Sequence, residues 1–282
     1  MQKRQILLTI SYGAIALALF ALLFWLTFPS PEEKTTNQDY SVVAFGDSVL
    51  GLYRGEDSVI SFLQQKTGEA IFNAAFGGSC MSMEKGLKQD YPREALSMVG
   101  LTKAIYAKDF GVQQSVTWRE SNMEYFAETI DVLETIDFTQ VETVIIQHGL
   151  NDYHAGRKID SDRNAKSEYT YKGALRNCIE RFRKLNPNIK ILLVTPSFTW
   201  YEEQGTTCLE QDFGGGTLDK YIAAQKEVAE EYGISVVDVF DDTYPHDSWE
   251  HKPAYMEDGV HPNAVGREMI AQRIAQALQE SL

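Results

Sequence analysis

Five short apolar runs constrain this chain more than anything else in it. They lie at residues 42–45, 70–75, 143–147, 190–195 and 234–239, and each is followed within two residues by a glycine, a proline or an aspartate. The runs are continuous rather than alternating, so a strand built from one would be buried on both faces. Between them the spacing turns helical, as in residues 122–136, where Met123, Phe126, Ile130 and Leu133 recur at three- and four-residue intervals. Further helices are expected near 58–65, in short pieces within 93–108, over 168–185 and 217–232, and from beyond Pro262 to the C-terminus. No hairpin dipeptide joins two runs. Strand and helix therefore alternate, which predicts an α/β fold: a three-layer αβα sandwich around a mostly parallel five-stranded sheet. Right-handed crossovers bring the C-terminal ends of all strands to one edge, and the crevice beyond that edge is where such sheets bind ligands.

The N-terminus has a different character. Residues 6–28 contain no charge, and a helix of that length covers the roughly 30 Å of bilayer hydrocarbon. Lys3 and Arg4 precede the run, and Glu32 and Glu33 follow it. Basic residues are retained on the cytoplasmic side, so the expected arrangement is a single-pass transmembrane anchor with the rest of the chain outside. Trp25 and Phe28 would sit at the outer interface. A cleaved secretion signal is the alternative, although the residues around Phe28 lack a small-x-small site. Residues 29–40 are polar and carry prolines, as a linker would. The expected organisation is an anchor over 1–28, a linker over 29–40 and one globular domain over 41–282.

With 26 Lys and Arg against 40 Asp and Glu, the formal charge is -14, which opposes nucleic acid and anionic surfaces as partners of the domain. An uncharged or cationic substrate meets no such barrier. Three cysteines, Cys80, Cys178 and Cys208, are too few for a disulfide framework, and their spacing matches no zinc site. Cys178 reads as a small core residue, whereas a bridge between Cys80 and Cys208 stays open. No cofactor or metal is expected.

Chemistry-bearing residues follow the strand ends. Gly46-Asp47-Ser48 comes after the first run, Phe76-Gly77-Gly78 after the second, and Gly149-Leu150-Asn151-Asp152 after the third. Asp258-Gly259-Val260-His261 precedes the last helix. Serine needs a base to take its proton, and histidine is the side chain suited to that at neutral pH. The base needs an acceptor to fix its tautomer, which Asp258, three residues before His261, can supply. Attack on an ester also develops an oxyanion, for which the main-chain N–H groups of Ser48 and Gly78 and the amide of Asn151 are candidate donors. A simpler role for Asp47 and Ser48 is to cap a helix.

Taken together in this order, Gly46-Asp47-Ser48, the Asn73 to Gly78 block, Gly149 to Asp152 and Asp258 to His261 resemble the SGNH branch of the GDSL esterases and lipases. The resemblance spans most of residues 41–282. It implies a flavodoxin-like five-stranded sheet, Ser48 as nucleophile, Asp258 and His261 as the rest of a triad, and Ser48, Gly78 and Asn151 as the oxyanion hole. Two positions depart from the usual pattern: Val49 stands where leucine is common, and Ala75 where a glycine is.

The remaining candidates read more plainly. His148 is expected to be packed, Asp152 to brace its loop, and His154, His246 and His251 to be solvated in polar loops. Gly214-Gly215-Gly216 reads as a lid hinge, and Trp200 and Tyr201 as a surface on which a sugar ring could stack or as a cover for the core. The expected activity is removal of small acyl groups such as acetyl, with a small-molecule or glycan ester as substrate. The alternatives are a lipid esterase or an acyltransferase using the same residues, and a non-catalytic protein that binds glycan or a partner in the crevice.

Overall fold

The computed structural model describes residues 40–86, 92–119, 125–241 and 243–281. The expected anchor and nearly all of the expected linker lie outside these residues. No helix among the described residues is long and apolar enough to cross a membrane.

In chain order the elements are β1 (Val42–Gly46), α1 (Ser48–Gly51), α2 (Val59–Thr67), β2 (Ile71–Asn73), α3 (Pro92–Ala95), α4 (Met98–Ala107), α5 (Gly111–Arg119), α6 (Tyr125–Thr135), β3 (Thr143–Gln147), α7 (Leu150–His154), α8 (Tyr171–Leu185), β4 (Lys190–Val194), β5 (Trp200–Tyr201), β6 (Thr206–Thr207), α9 (Leu218–Tyr232), β7 (Ser235–Val237), α10 (Lys252–Tyr255) and α11 (Ala264–Ser281). Five strands form one sheet in the order β2-β1-β3-β4-β7, and every pairing in it is parallel. Each residue of β1 and β3 is buried, as expected for strands covered on both faces.

The strand order fixes the layers. From β1 the chain steps to one edge to make β2, then moves the other way through β3, β4 and β7, so right-handed crossovers place α2 on one face and α8 and α9 on the other. The last helix, α11, packs on α2, while α8 lies between α4 and α9. Phe45 of β1 meets Phe138 and Phe182 at centroid distances of 6.1 and 5.7 Å, filling the core between sheet and α8.

One local stretch forms as the short helical pieces expected of it, and one small sheet is unexpected. The 93–108 stretch is two helices, because Ser97 caps α4 by accepting the Gly100 N–H at 3.1 Å. A Cβ on Gly100 would lie 2.3 Å from the Glu94 carbonyl oxygen, so only glycine permits so tight a junction. A second, two-stranded sheet pairs β5 with β6 in antiparallel fashion inside what reads as a loop.

Candidate active site

The first strand delivers Ser48. A Cβ on Gly46 would meet Leu50 at 2.9 Å and the Gln147 carbonyl oxygen at 3.1 Å, so glycine relieves crowding where the chain turns. Asp47 then caps α1, its carboxylate accepting the Val49 N–H at 3.0 Å, and Ser48 is the first helical residue. The capping role therefore belongs to Asp47, which frees the Ser48 hydroxyl for another partner.

That partner is His261, which receives the Ser48 Oγ–H at Nε2 over 3.0 Å. On its other side the ring donates Nδ1–H to Asp258 Oδ2 at 2.7 Å. Asp258 Oδ1 accepts the Val260 and His261 N–H groups at 2.9 and 2.7 Å, so the carboxylate shapes its own turn as well as orienting the imidazole. Burial raises the Asp258 carboxyl, but the bonds from the His261 ring and these two N–H groups outweigh it, leaving the group below its ordinary value and ionised.

Neighbouring elements hold the turn. Gly259 has φ +90°, and a Cβ there would sit 2.4 Å from the Trp200 carbonyl oxygen; the Trp200 N–H donates to the Gly259 oxygen at 2.8 Å. Arg267, 2% exposed on α11, donates to the Pro262 carbonyl at 2.8 Å and Glu257 Oε1 at 3.0 Å. It also donates to Asp57 Oδ2 at 2.6 Å and lies over the Tyr53 ring at 3.8 Å. This buried guanidinium thus ties both ends of the Asp258 to His261 turn to the segment that follows Ser48.

Candidate donors for an oxyanion stand at two further strand ends. Gly78 has φ +77°, and its N–H, like that of Ser48, meets no acceptor among the described residues. The preceding N–H, of Gly77, donates to Tyr125 Oη at 3.1 Å, and Arg54 stacks on that ring at 4.0 Å while donating to the Ala75 carbonyl at 2.7 Å. Gly149 starts α7 at φ +132°, where a Cβ would collide with the Tyr171 hydroxyl at 2.6 Å. Asn151 on that helix donates one amide N–H to the Ser79 carbonyl at 3.0 Å, and its second N–H is available.

Asp152 braces the same loop. Fully buried, it accepts the Met81 and Ser82 N–H groups at 2.6 and 2.9 Å and the Ser82 hydroxyl at 2.5 Å. Asp152→Ala leaves those three buried donors unpaired, and at about 1–3 kcal/mol for each such group the expected loss is at least about 3 kcal/mol of unfolding free energy. Denaturant titration checks this, and an unchanged midpoint would contradict the bracing role.

Burial, opposed by the Val49 N–H and by His261, pushes the Asp47 carboxyl up to about 7. The folded state therefore keeps a proton between 3.8 and about 7 that the unfolded chain has lost. This group's contribution to stability is full below that window and disappears as pH rises through it. Asp47→Asn retains an oxygen to cap Val49, so its melting temperature should exceed that of the wild type at pH 8, with the gain fading toward pH 4. Equal differences at both pH values would contradict the assignment.

The other candidates divide. His148 is packed as expected, and burial holds it down at about 4. Trp200, at 1% exposure, is buried against Phe198 and Tyr244 and cannot stack on a substrate; its role is to brace the turn through its main chain. Tyr201 is partly buried, its hydroxyl spent on His154 and Thr199. His154 is not in a solvated loop but at the end of α7, where burial pushes it down to about 4. His246 stacks on Phe198 at 4.3 Å. Cys80, Cys178 and Cys208 are all buried and none is in a disulfide, so the bridge left open above does not form. The glycine run is tied down as a turn, with Asp212 accepting the Gly214 and Gly216 N–H groups at 2.6 and 2.9 Å.

Sequence reasoning missed Arg267, Arg54 and His154, whose partners are distant in the chain. Beside the donors, Gly78, Leu96, Phe126, Asn151 and His154 line a cavity of about 320 Å³. A serine hydroxyl bonded to a carboxylate-oriented imidazole, beside unpaired N–H groups, is equipped to attack a carbonyl and hold the resulting oxyanion.

The comparisons agree with this chemistry. The family model described as GDSL-like lipase/acylhydrolase matches residues 44–269. A protein from Lactobacillus plantarum is 16% identical with a TM-score of 0.60, over 86% of this chain and 99% of that one. A possible lipase from Chitinophaga pinensis is 18% identical with a TM-score of 0.55, over 85% and 98%. A carbohydrate acetylesterase from Sinorhizobium meliloti is 17% identical with a TM-score of 0.53, over 86% and 100%. No curated protein matches. At these identities the solved structures speak to the fold, and the family model, covering most of the chain, carries the assignment: the chain belongs to the GDSL-like lipase/acylhydrolase family and is an SGNH-type hydrolase.

Proposed function

We propose that this esterase is held at the cell membrane by residues 6–28, faces outward, and removes small acyl groups, acetyl above all, from carbohydrate through an acyl-serine intermediate. The observation that carries the chemistry is the unbroken relay from Ser48 through His261 to Asp258, at 3.0 and 2.7 Å. Ser48 Oγ attacks the ester carbonyl as His261 Nε2 takes its proton, and the oxyanion gathers the Ser48 and Gly78 N–H groups and the Asn151 amide. His261 passes the proton to the departing alcohol, leaving acyl-Ser48. Water then attacks, with His261 again taking and returning a proton, and the acid leaves.

Charge and fold support the substrate reading. A charge of -14 disfavours anionic substrates, and the Sinorhizobium meliloti acetylesterase shares the fold. One observation favours a second reading, a longer acyl chain on a lipid ester: the cavity beside the donors carries the apolar side chains of Leu96 and Phe126. A panel of p-nitrophenyl esters from acetate to dodecanoate together with O-acetylated oligosaccharides separates them. The account expects acetyl esters to be preferred; a steady rise in kcat/KM with chain length would select the lipid reading. For the anchor, fractionation of the full-length protein with membranes is expected, and a mature N-terminus near Ser30 would overturn it.

A further inference from the structure

One exposed aromatic ring packs directly on His154, a residue that lines the cavity beside the candidate donors. Phe213 is 39% exposed, yet its ring stands near-perpendicular to those of His154 at 5.3 Å, Tyr201 at 5.6 Å and Tyr153 at 5.1 Å. Isolated exposed apolar residues are ordinary on protein surfaces. What distinguishes this one is that its main chain is fixed on every side. The Tyr153 hydroxyl donates to the Gln211 carbonyl at 2.9 Å, and Asp212 closes the turn through Gly214 and Gly216. Gly156, at φ +60°, leaves room for the Phe213 carbonyl, which a Cβ there would meet at 2.3 Å.

His154 links this ring to the reacting centre. It stands on α7 about one turn after Asn151 and lines the same cavity as Gly78 and Asn151. The Thr199 hydroxyl donates to Tyr201 Oη at 3.0 Å, and the Tyr201 hydroxyl donates to His154 Nε2 at 2.7 Å. A neutral imidazole held this way keeps its proton on Nδ1, as a donor with no acceptor among the described residues. Asp212, next to Phe213 in the chain, offers a carboxylate whose second oxygen takes no hydrogen bond among the described residues. An aromatic face, one N–H donor and one carboxylate are what a neutral ring with an apolar C–H face and peripheral hydroxyls requires.

We propose that Phe213, with His154 and Asp212 beside it, forms a subsite for a pyranose ring on the alcohol side of the ester. This subsite rests on the carbohydrate reading above. It would favour acylated sugars over simple esters by binding, without touching the reacting atoms.

The test uses the full-length protein, wild type and Phe213→Ala, on an O-acetylated xylo-oligosaccharide and on p-nitrophenyl acetate. Loss of one stacked ring should raise KM for the oligosaccharide about 10-fold at unchanged kcat, while p-nitrophenyl acetate kinetics stay within about twofold. Phe213→Trp should restore the lower KM. The deacetylated oligosaccharide should inhibit p-nitrophenyl acetate hydrolysis by the wild type and do so about 10-fold less well in Phe213→Ala. Unchanged oligosaccharide kinetics in Phe213→Ala, beside a wild type that deacetylates the oligosaccharide, would overturn the subsite alone. Equal losses on both substrates would overturn it as well, as would a larger loss on p-nitrophenyl octanoate than on the oligosaccharide. A wild type that cleaves p-nitrophenyl acetate but is neither a catalyst for nor inhibited by oligosaccharides would overturn the carbohydrate reading and the subsite with it.

Discussion

Ser48→Ala should lower kcat for p-nitrophenyl acetate on the order of 10,000-fold or more, since without the nucleophile only the oxyanion donors and binding remain. The fold should survive. Among the described residues the Ser48 side chain makes one hydrogen bond, to His261, and such a bond contributes only about 0.5–1.5 kcal/mol. Its neighbour Asp47, not Ser48, caps α1, so the helix start is untouched. Measured together, kcat and the denaturant midpoint separate chemistry from folding: activity is lost while the midpoint moves little. Residual activity within about tenfold of wild type would mean that another group, or bulk base, does the work assigned to Ser48.

Asn151→Ala should cost about 100- to 1,000-fold in kcat with KM nearly unchanged. The reason is where the amide acts. Its second N–H points to no ground-state partner among the described residues and is used when negative charge develops on the carbonyl oxygen, so its loss is felt in the transition state. The other N–H holds the Ser79 carbonyl, and part of the loss will come from a looser Gly78 loop. Asp152 limits that loosening, because its bonds to Met81 and Ser82 do not pass through Asn151. A raised KM at constant kcat would instead make Asn151 a ground-state binding residue.

How much of this was legible depends on whether the signal is local. Strands buried on both faces must be apolar throughout, so β1 and β3 stand out in the sequence, and the parallel order follows from the helices between them. Ser48, Gly78 and Asn151 each follow a strand end, which is why topology alone brings them to one edge. Residues 84–120 were hard to read because their helices are short and their boundary depends on a packing fact, the contact of Gly100 with Glu94. Trp200 stayed open between stacking and covering the core because an aromatic residue in an irregular stretch looks the same whether buried or exposed, and its partners Phe198 and Tyr244 are supplied only by the fold. Arg267 reads as a solvent-facing charge on an amphipathic helix; only the fold supplies Asp57, Glu257 and the Pro262 carbonyl around it. His154 and Phe213 lie far apart in the chain, and nothing between them announces that they meet.

The account stands on an activated hydroxyl at Ser48, and a fluorophosphonate probe reads that property without assuming any substrate. Intact-mass and peptide analysis of the treated full-length protein should find one adduct, on Ser48, that is absent from Ser48→Ala and strongly slowed in His261→Ala. An unlabelled wild type, or labelling that persists in Ser48→Ala, would contradict it.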